Sequence, residues 1–148
     1  MNSIIQLQDL LDTHGVKYEI IKHDQRIHSV DDAKGYFEPQ KLAPVLIIDT
    51  EKGLFAYIKG VLSGKINFAI LKSILNCNQA KMACSKKILQ ETGFNVGTIP
   101  LIGLSIPCIF DQNLLQYDFI YGGTGDLQHT LKINPYEIKR FNNIIAII

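Results

Sequence analysis

The stretch Gly93-Phe94-Asn95-Val96-Gly97-Thr98-Ile99-Pro100-Leu101-Ile102-Gly103-Leu104 sets three glycines and a proline among aliphatic residues, where a surface loop would carry polar ones. Glycine permits positive φ and lets another group approach the backbone closely. Proline fixes the chain and removes a donor. Such a loop suits the wall of a preformed pocket that offers backbone N–H groups to a bound carbonyl or phosphate. A second cluster, Gly122, Gly123 and Gly125, lies between Tyr121 and Asp126. The chemistry this implies is stabilisation of charge on oxygen by fixed amide donors. Ionisable side chains accompany the loops. His129 follows the second cluster and has two open readings, contact to a ligand or fixing of the loop. His23 and His28 flank a segment that suits a ligand rim, although a surface-loop histidine is the commoner explanation. Asp126 reads first as a turn aspartate.

Other chemistries find no support. The four histidines and three cysteines form no zinc spacing, so no metal is expected. Cys84 and Cys108 lie in apolar runs and read as buried, inert thiols. No serine or cysteine occupies a G-x-S-x-G elbow. Neither a phosphate loop nor a G-x-G-x-x-G after a strand is present, so no nucleotide cofactor is expected. A net charge of +1 advertises no field for DNA, and any RNA contact needs a local patch. The N-terminus has no basic segment followed by an apolar run. No apolar run reaches membrane-spanning length. The cytoplasm is the expected compartment, with no membrane partner.

The 148 residues suffice for one domain, taken as residues 1–148, with a single buried core. Ser3 can cap a first helix whose apolar face is Ile4, Ile5, Leu7, Leu10 and Leu11, closed by Gly15. Residues 16–21 read as a strand. Ser29-Val30-Asp31-Asp32 resembles a capping box and starts a short helix. Residues 44–49 and 54–59 form a hairpin signal around Glu51-Lys52-Gly53. Residues 66–75 have helical spacing, and residues 80–84 read as a short strand. Ser85 can cap a helix that ends before Gly93. Residues 106–110, 117–121 and 129–133 read as strands. Asn134-Pro135-Tyr136-Glu137 starts a last helix. The terminal run 144–148 closes the core as the end of a helix or strand. Six or seven strands among scattered helices, with consecutive strands that favour antiparallel pairing, indicate a mixed α/β domain.

The order of these motifs resembles the YbaK family, free-standing relatives of the editing domain inserted in bacterial prolyl-tRNA synthetases. The resemblance runs through Tyr18 to His23, through Ser29 to Ala33, and through Lys81 to Leu89 with Thr92-Gly93. It continues through Gly97 to Gly103, Ile106 to Asp111, and Gly122 to Gly125 with His129-Thr130-Leu131. It implies a largely antiparallel, barrel-like sheet surrounded by helices. It implies hydrolysis in trans of the ester joining an amino acid to a mischarged tRNA, in translation quality control. The implied partners are the tRNA acceptor end and an aminoacyl-tRNA synthetase. The implied substrate-binding residues are His23, Ser29, Gly97, Thr98, Ile99, Pro100, Gly122, Gly123, Gly125 and His129. The family also has a lysine near the pocket. Its position here is filled by Pro44, and the nearest lysine is Lys41, which the resemblance offers as the catalytic residue. The alternative is a catalytically inactive module of the same fold that binds tRNA ends, a synthetase or a small ligand.

Overall fold

Strands β2 (Val45–Thr50) and β3 (Gly53–Ile58) form the expected antiparallel hairpin, with Val45 opposite Ile58 and Thr50 opposite Gly53. The computed structural model that contains it describes residues 3–148. Successive residues of a strand face opposite sides, and here both sides are covered. Ile47 and Ala56 pack with Ile88, Ile99 and Cys108 on one side. Ile48 and Tyr57 pack on the other side against Leu71 and Leu75 of helix α3 (Phe68–Leu75). Two covered faces explain why the strand reads as an unbroken apolar run rather than an alternation.

The hairpin is the centre of a five-stranded sheet. Strand β4 (Ala80–Met82) pairs antiparallel with β2, and β5 (Cys108–Phe110) pairs parallel with β3. Strand β8 (Ile144–Ile147) adds to β5, again parallel. A second sheet has the order β1-β7-β6, with β1 (Tyr18–Lys22), β7 (His129–Ile133) and β6 (Ile120–Gly123), all antiparallel. One bridge, Leu42 to Tyr121, joins the two sheets, reinforced by Ala43 N–H donating to Tyr121 O at 2.8 Å.

The mixed α/β class stands, with pairing mostly antiparallel. The details differ from expectation. The described residues form eight strands in two sheets, and no closed barrel. The additional strand is the C-terminal run. Its parallel pairing with β5 is not visible in local patterning, because parallel neighbours are brought together by long crossovers.

Helix α1 (Ser3–Thr13) inserts Leu7 and Leu11 beneath the three-stranded sheet, among Leu131, Ile133, Phe110 and Ile138. Helix α1 begins at Ser3 itself, and the side chain from which a cap is expected lies outside what the structure describes. At helix α2 (Val30–Ala33) the Ser29 hydroxyl accepts from Asp32 N–H at 3.3 Å. Helix α4 (Ser85–Thr92) starts one residue earlier than expected. Cys84 holds the cap position without a side-chain bond, and Gly93 ends the helix at φ +79°. Asn134 caps a 3-10 turn (Pro135–Glu137) that leads into α5 (Ile138–Phe141). No helix among the described residues is long and apolar enough to cross a membrane.

If α3 seals the outer face of the large sheet, Leu71, 1% exposed, is a principal contact. Leu71→Ala is expected to cost about 2–5 kcal/mol in urea denaturation. A loss below about 0.5 kcal/mol would be that of a surface position and would contradict this packing.

Candidate functional site

The two glycine loops meet. Leu101 N–H donates to Gly123 O at 2.9 Å, which ties the first loop to the end of β6. The approach leaves no room for side chains. A Cβ on Gly123 would lie 2.3 Å from Ile99 O, and one on Gly122 would lie 2.5 Å from the Leu101 side chain. Gly97 packs in the same way against a third segment. Its φ is +89°, and a Cβ there would lie 2.1 Å from His28 O. The segment before α2, the first glycine loop and β6 are therefore held backbone to backbone.

Between them lies a cavity of about 260 Å³. One wall is Leu42 to Leu46 running into β2, and another is Ile27 to Val30 with Phe37. Of the residues expected at a site, Ser29, Gly97, Thr98, Ile99, Gly122, Gly123 and His129 line this cavity. Pro100, Gly125, His23 and Lys41 do not line it. His28, weighed only as a rim residue, is part of the wall. His23 is buried behind it. Its Nδ1 lies 2.6 Å from Gln25 O and its Nε2 3.1 Å from the Thr130 hydroxyl. With Nδ1 donating to the carbonyl, a neutral ring accepts at Nε2, so His23 fastens the end of β1 to β7.

Lys41 points elsewhere. Its ammonium stands 4.1 Å from the centre of the Phe119 ring and 3.5 Å from Glu38. No lysine or arginine lines the cavity, and Pro44 occupies part of its wall. The polar residues of the lining are Ser29, Thr98 and Thr130 with their neutral hydroxyls, the phenol of Tyr121, His28, and the pair Asp126 and His129. The Tyr121 phenol is pushed up, chiefly by burial and then by Glu38 and Glu19, so it stays protonated. Asp126 sits 3.1 Å from His129 Nδ1, but off hydrogen-bond alignment, and that nitrogen is buried without a hydrogen-bond partner. The Asp126 carboxyl is held below its ordinary range by the Gln128 N–H first and by His129 second. It is both the turn aspartate of the sequence reading and a cavity residue.

An activated protein nucleophile is missing among the described residues. The Ser29 hydroxyl caps α2, and Thr98 donates to Asn95 O at 2.8 Å. Burial pushes the Cys108 thiol up to about 11, which keeps it protonated and inert. Among the described residues no group of three or more His, Cys, Asp or Glu is placed to hold a metal ion. Backbone donors remain. Thr98 N–H is taken by Asn95 O at 3.1 Å, whereas the N–H groups of Gly97 and Ile99 meet no acceptor among the described residues. Sequence reading did not find Phe37, Tyr121 or Leu42 to Leu46 as cavity walls. The position of Tyr121 beside a glycine cluster, and of Pro44 where the resemblance expects a lysine near the pocket, were the hints.

The close approach at Gly97 has a measurable signature. Gly15 also has positive φ, +66°, but a Cβ there meets nothing within 4 Å. Gly15→Ala is expected to lose about 1 kcal/mol from conformation alone. Gly97→Ala should lose a further ~1–3 kcal/mol from overlap with the His28 carbonyl. Equal losses in denaturant titrations would contradict the packing of these segments.

Comparison with known proteins agrees with this geometry. Residues 25–141 match the family model of the aminoacyl-tRNA editing domain. Comparison with curated protein sequences finds no match. The fold is similar to that of a hypothetical protein of known crystal structure, with TM-score 0.84 at 20% identity, covering 96% of this chain and 97% of that one. It is also similar to a protein assigned as a trans-editing enzyme for prolyl tRNA synthetase, with TM-score 0.80 at 18% identity, covering 99% and 95%. Those two identities speak for the fold, and the match of sequence to the family model over most of the chain speaks for kinship: the chain belongs to the aminoacyl-tRNA editing domain family.

Proposed function

We propose that this protein is an aminoacyl-tRNA deacylase that acts in trans on mischarged tRNA. It hydrolyses the ester between the amino acid and the terminal ribose. The observation that carries this reading is the pairing of an apolar cavity with two unspent amide donors, those of Gly97 and Ile99. An ester carbonyl that becomes tetrahedral gathers negative charge, and fixed N–H groups stabilise it without reorganisation. The acyl side chain fills the apolar space, so cavity volume selects the substrate. One methylene too many costs about 1–3 kcal/mol there. In this reading Ser29, Gly97, Thr98, Ile99, Gly122 and Gly123 bind the aminoacyl group. His129, set by Asp126, takes or gives the proton of water or of the leaving hydroxyl. Pro100, Gly125 and His23 act one layer back by holding the walls. A synthetase is the natural supplier of the mischarged substrate, and the cytoplasm is the compartment where the two would meet.

A second reading has a specific observation in its favour. No cationic side chain lines the cavity, and proline stands where the resemblance expects lysine. A module that binds a tRNA end, a synthetase or a small ligand without turnover would look the same.

The deciding experiment is a deacylation panel of mischarged tRNAs with wild type, His129→Ala, Lys41→Ala and Pro44→Lys. Wild type is expected to release the amino acid from at least one tRNA. His129→Ala should lose about 10²-fold or more in rate. Lys41→Ala should leave more than half of the activity at saturating tRNA, because its ammonium is directed at Phe119 and not into the cavity. A panel left intact by wild type but hydrolysed by Pro44→Lys would overturn the enzyme reading in favour of the binding module.

A further inference from the structure

Outside the cavity, Phe119 carries two ammonium groups. Lys41 Nζ lies 4.1 Å from its ring centre and Lys132 Nζ lies 4.0 Å from it. Phe119 meets Tyr121 edge-on at 5.4 Å between ring centres, and Tyr121 is a cavity wall. The cationic ring therefore stands one aromatic side chain away from the cavity. Each lysine has a carboxylate nearby, but neither makes a hydrogen bond to it. Lys41 is 3.5 Å from Glu38 and Lys132 is 3.8 Å from Glu19, and both carboxylates are more than half exposed. Exposed pairs of this kind contribute little. The ring fixes the ammoniums, with a quadrupole attraction that adds position without consuming N–H donors. Two positive groups, half-buried and preset, with donors unspent, have the character of a phosphate-binding pair.

From this placement we propose that Lys41, Lys132 and Phe119 form a clamp for the unpaired 3′ strand of an RNA whose terminal acyl group occupies the cavity. The inference rests on the deacylase reading for the identity of that strand. Phosphate oxygens accept direct N–H bonds from the two ammoniums and displace Glu38 and Glu19, which swing into solvent. Tyr121 and the rim of Phe119 offer apolar ring surface to the adjoining bases, the mode by which single strands are held without sequence preference. The net charge of +1 gives the protein no long-range attraction for RNA, so a local pair of this kind would carry the electrostatic contact.

The test is binding of an uncharged stem-loop RNA with four unpaired 3′ nucleotides, against the same stem made blunt. Wild type is expected to prefer the tailed RNA by about tenfold, the scale of one stacked base. Lys132→Gln should weaken tailed binding and lower the slope of log K against log salt by about 0.7, the value for one single-strand phosphate. Glu38→Gln, which removes a competing charge at a half-exposed position and keeps an oxygen that can accept from Gln40, should tighten tailed binding by about twofold or more. Phe119→Leu keeps the apolar volume and should weaken tailed binding by about threefold through loss of the ring. Equal affinity for tailed and blunt RNA, or tailed binding unmoved by both Lys132→Gln and Glu38→Gln, would overturn the clamp. Such a result with deacylation intact would leave the reading of the cavity standing. Selective tailed binding that responds to these variants, with no hydrolysis on any tRNA, would uphold the clamp and reject the deacylase.

Discussion

Three lengths of backbone touch in this protein with nothing thicker than a hydrogen atom between them, and the site exists because of that contact. The carbonyl of His28 occupies the space of a side chain on Gly97, and the carbonyl of Ile99 does the same at Gly123. Segments distant in the chain, 69 positions apart in the case of His28 and Gly97, become one wall. The cost of such closeness is low only for glycine, which has no Cβ to displace. The benefit is rigidity: amides set by packed backbone do not reorient when a charge develops near them. The hydrogen bond from Leu101 to Gly123 closes the arrangement.

Around that wall, polarity is divided by location. Inside, the lining is aliphatic and aromatic, with neutral hydroxyls, His28 and one carboxylate–imidazole pair. Two positive charges lie outside it, over the ring of Phe119. On the proposed reading, volume and fixed amides handle the acyl group, while charge handles the nucleic acid beyond it. Burial of cations in an apolar cavity would have been expensive without a partner, and this chain avoids it by placing them at a half-buried aromatic surface. Behind the wall, His23 fastens β1 to β7 through Thr130, and Asp111 accepts N–H groups of Gly60 and Asn113 at 2.9 Å each. The first of these ties the segment after β1 to β7, and the second ties Gly60 to the turn after β5.

Much of the fold was legible in local patterning. The hairpin, α3, the strand at His129 and the caps at Ser29 and Asn134 rest on signals that a few neighbouring residues carry. The glycine loops were legible as a site because glycine among aliphatics has few structural reasons to exist. What was not legible depends on distant pairing. Parallel contact of β3, β5 and β8 leaves no mark on local sequence. The single bridge between the two sheets leaves none either. Phe37 carried no signal, and Leu42 to Leu46 read only as the approach to a strand, with Pro44 alone placed near the pocket by the resemblance, because a cavity wall and a core face have the same composition. Lys41 was offered as catalytic on its proximity in sequence to an expected position. A side chain's aim is decided in space, and here Phe119, 78 positions later in the chain, decides it.

The most direct measurement of the central claim is a backbone amide NMR titration with a non-hydrolysable aminoacyl-adenosine analogue. Binding in the cavity predicts the largest shifts at the amides of Gly97 and Ile99, with Gly122, Gly123 and His129 following, and protection of those amides from exchange. Shifts centred elsewhere, or none at saturating analogue while the fold stays intact, would contradict the account.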